Sequence, residues 1–140
     1  MIKNVLLAAV NKRILYLSDT YEGSVHDKKI ADEADFHFEQ TVELWQDTGF
    51  QGFKPANTTI VQPVKKPKGK ELNQEQKQEN KRKASTRVLV EHAINQVKVW
   101  RIVKDKIRSY RHQLRDEVML IACGLSNYKI KLKSIVPYSI

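Results

Sequence analysis

The 140-residue chain has a single cysteine, Cys123, so no internal disulfide can brace it, and a lone thiol suits a reducing cytoplasm. It has no long apolar run. The longest, Val5 to Val10, falls far short of the roughly 20 residues that span a bilayer, and no membrane partner is expected. It opens without a charged segment, apolar stretch and small-residue cleavage site in succession, which argues against secretion. No internal repeat is visible. The four histidines are scattered and do not join Cys123 at zinc-binding spacing. At this length one domain with a core of modest size is expected, and a two-domain enzyme is not.

What the chain does have is charge, unevenly placed. Its 25 basic and 16 acidic residues give a net +9, beside 41% hydrophobic residues, too many for a disordered tail. Residues 1–64 carry 6 basic and 9 acidic side chains; residues 65–115 carry 16 and 5; residues 116–140 carry 3 and 2. A basic middle points to a polyanion partner, with nucleic acid first. The plainer alternative is a solvated, lysine-rich helix that binds nothing.

The pattern predicts a mixed α/β layered domain, opening on a β-hairpin and ending in two long helices. Val5–Val10 reads as a strand covered on both faces, and Arg13–Ser18 as its partner across an Asn11-Lys12 turn. Ser24 and Asp27 have capping-box spacing ahead of a short helix, Val25 to Asp35, with Ile30, Ala31 and Ala34 inward. Thr41–Gln46 and Thr58–Val64 read as further strands. Residues 65–83 read as an exposed basic loop followed by a polar helix extension that projects into solvent. Asn73 and Gln76 should cap that helix, which continues to about Lys106 with Val90, Ala93, Ile94, Val97 and Trp100 inward. A last helix, from about Leu114 to Leu132, shows one stripe of Leu114, Val118, Ile121, Leu125, Tyr128 and Leu132. Gly124 within it suggests close packing. Residues 133–140 read as a tail.

Two carboxylates stand out. Asp47 ends a predicted strand beside a glycine turn, where a side chain either caps the turn or faces a cleft. Glu91 lies mid-helix on one face with Arg87, Asn95 and Lys98. It is either half of an Arg87–Glu91 surface pair, worth about 0.3–0.5 kcal/mol, or a metal-binding carboxylate flanked by cations.

Trp45-Gln46-Asp47-Thr48-Gly49-Phe50-Gln51-Gly52 resembles the segment around the second catalytic aspartate of bacterial insertion-sequence transposases of the DDE type. Arg87-Val88-Leu89-Val90-Glu91 through Lys98 resembles their R-x-x-x-E-x-x-x-x-x-x-K helix, which carries the final glutamate. Gly23-Ser24-Val25-His26-Asp27, Lys65–Lys70 and Arg101–Lys106 are also similar to stretches of this group, a Harbinger-like DDE superfamily endonuclease. The resemblance runs to about residue 132.

It implies an incomplete ribonuclease-H-like α/β (α+β) core over residues 1–132. In that fold, carboxylates converge at one edge of a mixed five-stranded sheet and bind two Mg²⁺ (or Mn²⁺) ions for in-line displacement at phosphorus. Hard oxygen ligands suit those ions. Asp47 and Glu91 become the catalytic and metal-binding candidates. Arg87, Lys98, Arg101 and Lys104 become candidate contacts to DNA, both transposon ends and target. His26, Asp27 and Asn95 are candidates to support them, though His26 and Asp27 equally suit a helix start. Trp45 and Trp100 read as core.

The family's first catalytic aspartate sits on a strand ahead of the hairpin. Only Met1 to Asn4 precede Val5, and Asp19 does not match the motif. The chain therefore reads as the C-terminal part of the catalytic domain, a poor catalyst alone, with a two-metal site expected only when the missing aspartate is supplied. Such a chain would be nucleoid-associated and would work with an upstream transposase fragment or in a transposase homo-oligomer. The competing reading is a non-catalytic basic DNA-binding remnant that inhibits an intact transposase.

Overall fold

The structure, a computed structural model, describes residues 2–104 and 113–135. In chain order the elements are β1 (Ile2–Lys3), β2 (Leu6–Ala8), β3 (Ile14–Leu17), β4 (Tyr21–Glu22), α1 (Asp27–Glu33) and β5 (Val42–Trp45). A 3₁₀ turn at Thr48–Phe50 follows, then β6 (Thr58–Val61), α2 (Gln74–Lys98), α3 (Arg101–Lys104) and α4 (Leu114–Ile135). This is the expected α+β composition with C-terminal helices. None of the helices among the described residues is long and apolar enough to cross a membrane. Two compact units emerge, one of Tyr21–Val88 and one of Ile2–Thr20 with the chain from Leu89 onward.

In the first unit, β5 and β6 pair in parallel, with Val42 opposite Thr58 and Trp45 opposite Val61. Alternating residues of β5 are exposed at Glu43 and half-buried at Val42 and Leu44, as one covered face requires. Ile30 and Ala31 of α1 are buried as predicted, and Phe36 packs against Phe38 and Phe53. The helix starts later than the Ser24–Asp27 spacing suggests. Its N-cap is His26, in extended conformation and without a side-chain cap bond, so the expected capping box does not form.

The polar start of α2 is better anchored than expected. Asn73 Oδ1 accepts from Gln76 N and Gln76 Oε1 from Asn73 N, the reciprocal cap read from the sequence. One turn further, the Asn80 amide both donates to Val64 O and accepts from Val64 N. Lys83 Nζ donates to Gln62 O at 3.0 Å. These side chains continue the role of a strand partner beyond the end of β6, so this stretch does not simply project into solvent. Lys65–Lys70 itself is exposed, as expected.

In the second unit, β2 and β3 form the expected antiparallel hairpin, Leu6 opposite Leu17. Its turn differs in detail. Lys12 N donates to Ala9 O, and Lys12, not Asn11, takes the positive φ of 71°. A tight turn followed by one left-handed residue accounts for the register shift after Leu7. Asn11 instead accepts from Arg13 N through its side chain. The strand is not covered on both faces: Val10 sits in the turn, exposed, and only Val5 of the run is buried.

The core of this unit gathers Ile14, Ala93, Val97, Ala122 and Cys123, with Leu6, Ala8, Leu17, Val103 and Met119 against it. Burial pushes the Cys123 thiol up from its ordinary pKa, so it packs as a small apolar side chain. The α2 stripe through Ala93 and Val97 faces inward as predicted. The helix ends sooner, at Lys98, through a tightened last turn in which Trp100 N donates to Val97 O. The β-branched Val99 and bulky Trp100 are exposed there, and Trp100 is not core. The predicted end at Lys106 lies outside the described residues.

Helix α4 turns its large apolar stripe outward. It buries Ala122, Cys123 and Ser126, while Ile121, Leu125, Tyr128 and Leu132 are exposed. Small side chains let α4 lie close to α2: Ser126 Oγ donates to Gln96 O. Gly124 lies on the open side, with nothing within 4 Å of an added Cβ, so the close packing expected of it is absent among the described residues. The helix runs on through the start of the predicted tail to Ile135; residues 136–140 lie outside the described residues.

Candidate functional site

Asp47 stands where β5 ends. It is the N-cap of the 3₁₀ turn, in extended conformation, and its Oδ1 accepts from Thr48 N at 2.7 Å. The capping role read from local sequence is therefore real. The turn is held shut by Gln46, whose Nε2 donates to both Phe50 O and Phe53 O. The neighbouring parallel strand contributes Gln62, whose Nε2 donates to Asp47 O at 2.7 Å. The carboxyl ends of parallel strands, where loops leave the sheet, are where such folds place ligands.

The second oxygen of Asp47 faces a cation. Arg87 Nη2 lies 3.3 Å from Asp47 Oδ2, and both side chains are about half exposed. A pair so solvated contributes about 0–1 kcal/mol, so it orients the carboxylate more than it holds the fold. Lys83, one helical turn before Arg87, reaches the Gln62 carbonyl from the same helix face. Two cations of α2 thus converge on the strand ends that carry Asp47. Lys83 and Gln62 were not singled out from the sequence, although the four-residue spacing of Lys83 to Arg87 was visible there.

Asp27 also belongs to this corner. An added Cβ at Gly49 would lie 2.8 Å from Asp27 Oδ2, so the α1 carboxylate presses on the loop that follows Asp47. A side chain at Gly49 would have to displace the Asp27 carboxylate. His26, one residue earlier, is exposed and serves as the helix cap. The first unit therefore brings together Asp47, Arg87 and, through the Gly49 loop, Asp27.

Glu91, Asn95, Lys98, Arg101 and Lys104 belong to the second unit, and all are exposed. The first three follow Arg87 along α2, while Arg101 and Lys104 stand on α3, past the helix break. Among the described residues no three His, Cys, Asp or Glu side chains are grouped as metal donors. The individual donors are hard carboxylate oxygens, the kind that Mg²⁺ and Mn²⁺ take, and Asp47 already faces a positive group. In kind such oxygens fit an ion of that sort.

A family model described as DDE superfamily endonuclease matches residues 2–127. A probable transposase for insertion sequence element IS702 from Microchaete diplosiphon is 31% identical over 113 residues, which cover 81% of this chain and 41% of that relative. The chain thus spans less than half the length of the curated relative it matches. No solved structure matches it significantly.

Proposed function

The chain belongs to the DDE superfamily endonucleases, and from that membership we propose that it is the C-terminal part of a transposase catalytic core that cuts and joins transposon-end DNA. Enzymes of this superfamily are generally dependent on divalent metal. Asp47 and Glu91 are the proposed ligands, and Mg²⁺ or Mn²⁺ the proposed ions. The observation that carries the reading is Asp47 at a parallel strand end with its Oδ2 against Arg87. Arg87 opens the same R-x-x-x-E run of α2 that carries Glu91.

In this reading the chain's own groups divide the work. Asp47 and Glu91 supply two oxygen donors, and a third carboxylate comes from outside residues 1–140. Arg87, Lys98, Arg101 and Lys104 neutralise phosphate oxygens of the end and target strands. Asp27 supports the Asp47 loop, and His26 and Asn95 are the further proposed supporting groups. Bound divalent ions supply the activation of a water or 3′-hydroxyl and the neutralisation of the leaving oxygen.

The test is strand cleavage of duplex end DNA in Mg²⁺ or Mn²⁺ by this chain, alone and combined with the remaining polypeptide of an intact relative. Cleavage only in the combination is expected. A combination that cleaves equally well when this chain carries both Asp47→Asn and Glu91→Gln defeats the assignment.

One second reading rests on the basic run of residues 65–115, with 16 basic and 5 acidic side chains: a DNA-binding chain that blocks an intact transposase by mixed assembly. Both readings share a prediction. Four side chains, Arg87, Lys98, Arg101 and Lys104, displacing counterions from duplex DNA give a steep salt dependence. Affinity should fall about a hundredfold between 50 and 200 mM salt, as measured by fluorescence anisotropy. A salt-independent affinity removes the phosphate role from these residues. Binding with this slope, but no cleavage in the combination, selects the inhibitor.

A further inference from the structure

The corner between α2 and α3 leaves large apolar side chains in solvent. Val99 is 69% exposed, Trp100 38% and Ile102 56%. The backbone of the corner is nonetheless hydrogen-bonded: Trp100 N donates to Val97 O, and Val103 N donates to Trp100 O. Val97 and Val103, which bracket the corner, serve the core of the unit, the first buried in it and the second packed against it. Trp100 lies outside that core, where the fold does not account for it.

Cations alternate with these apolar side chains. Lys98 precedes the corner, Arg101 follows Trp100, and Lys104 stands one helical turn beyond Trp100, all exposed. Residues 92–115 carry seven basic side chains and one acidic, Asp105. The core of a protein–protein contact is depleted of charge, and of lysine in particular, so a protein partner fits this corner badly. A strand of nucleic acid fits it well, with phosphates for the cations and a base face for the indole. Duplex DNA keeps its base faces inside its own stack. Only an unpaired base can offer one.

We propose that Trp100 is a stacking platform for an unpaired base of single-stranded DNA, with Lys98 and Lys104 on the phosphates to either side. Val99 and Ile102 add apolar surface next to it in the chain. Phosphate neutralisation alone treats every strand alike; the indole makes this corner prefer a frayed or displaced strand to a closed duplex. The proposal rests on DNA as the partner and not on metal binding by Asp47 and Glu91.

The experiment uses the full chain at low salt without divalent metal. Its probes are an oligothymidylate carrying one 2-aminopurine and a duplex of the same length. Binding should quench the 2-aminopurine of the single strand, as stacking on an indole requires. Trp100→Leu keeps apolar bulk and removes the aromatic face. It should abolish the quench and lower single-strand affinity at least about tenfold in fluorescence anisotropy, while duplex affinity holds. Trp100→Phe should keep most of the quench and the affinity, which separates stacking from a defect in folding. Lys98→Ala with Lys104→Ala should weaken both DNAs alike. No quench in the wild type, a single-strand affinity indifferent to Trp100→Leu, or equal losses on both DNAs would overturn the proposal and leave duplex binding standing. Binding of neither DNA would overturn the reading of DNA as partner, and the stacking site with it.

Discussion

Asp47→Asn and Glu91→Gln should each reduce metal-dependent strand cleavage by about a thousandfold, roughly 4 kcal/mol of barrier, in the combination of this chain with the rest of an intact transposase. Each change keeps shape and removes one negative charge, so it tests ligation and little else. At Asp47 the amide oxygen can still accept from Thr48 N, which preserves the turn. The Arg87 partner loses only a solvated pair. Both side chains are exposed, and stability should move by no more than about 0.5 kcal/mol. DNA affinity without metal should stay the same or rise slightly, because a negative charge near the phosphates is gone. A thousandfold loss with intact folding and DNA binding identifies the carboxylates as part of the chemistry. Loss of DNA binding in step with cleavage would reduce them to supports of the surface.

Asn127→Ala should cost about 2–4 kcal/mol, a large share of what a small unit has to lose. Its amide clips α4 to the hairpin. Asn127 Oδ1 accepts from Ile14 N at 2.7 Å, and Nδ2 donates to Ile14 O at 2.8 Å. Ile14 is a buried member of the core, so removing the amide leaves both of its backbone groups without a partner away from water. Asn127→Asp keeps an acceptor for Ile14 N but sets negative charge against Ile14 O, and should be at least as damaging. Urea unfolding followed by circular dichroism reads the difference. A change below about 0.5 kcal/mol would mean that water replaces the clip.

How much of this was legible depended on the range of the forces involved. The Asn73–Gln76 cap, the hairpin and the inward face of α1 depend on neighbours within a few residues, and their patterns were plain. Asp47 as a turn cap was legible for the same reason. The Asp47–Arg87 pair joins residues forty apart, and nothing local distinguished it from an Arg87–Glu91 pair on one helix. The orientation of α4 was not legible, because periodicity reports an apolar stripe without saying what covers it. Ala122, Cys123 and Ser126 lie nearer the core because they are small, whereas the large stripe faces outward. The early end of α2 follows from Val99 and Trp100, whose weak helical preference was overlooked inside a strong apolar pattern. The resemblance placed the catalytic candidates in order along the chain. It could not anticipate that Asp47 already holds a turn and an arginine.

Asp47 and Glu91 are the proposed ligands of a divalent ion. The most direct test is Mn²⁺ binding, read by electron paramagnetic resonance on the combined protein, wild type against Asp47→Asn and Glu91→Gln. Affinity should fall at least tenfold in each variant. Unchanged Mn²⁺ affinity in both would contradict it.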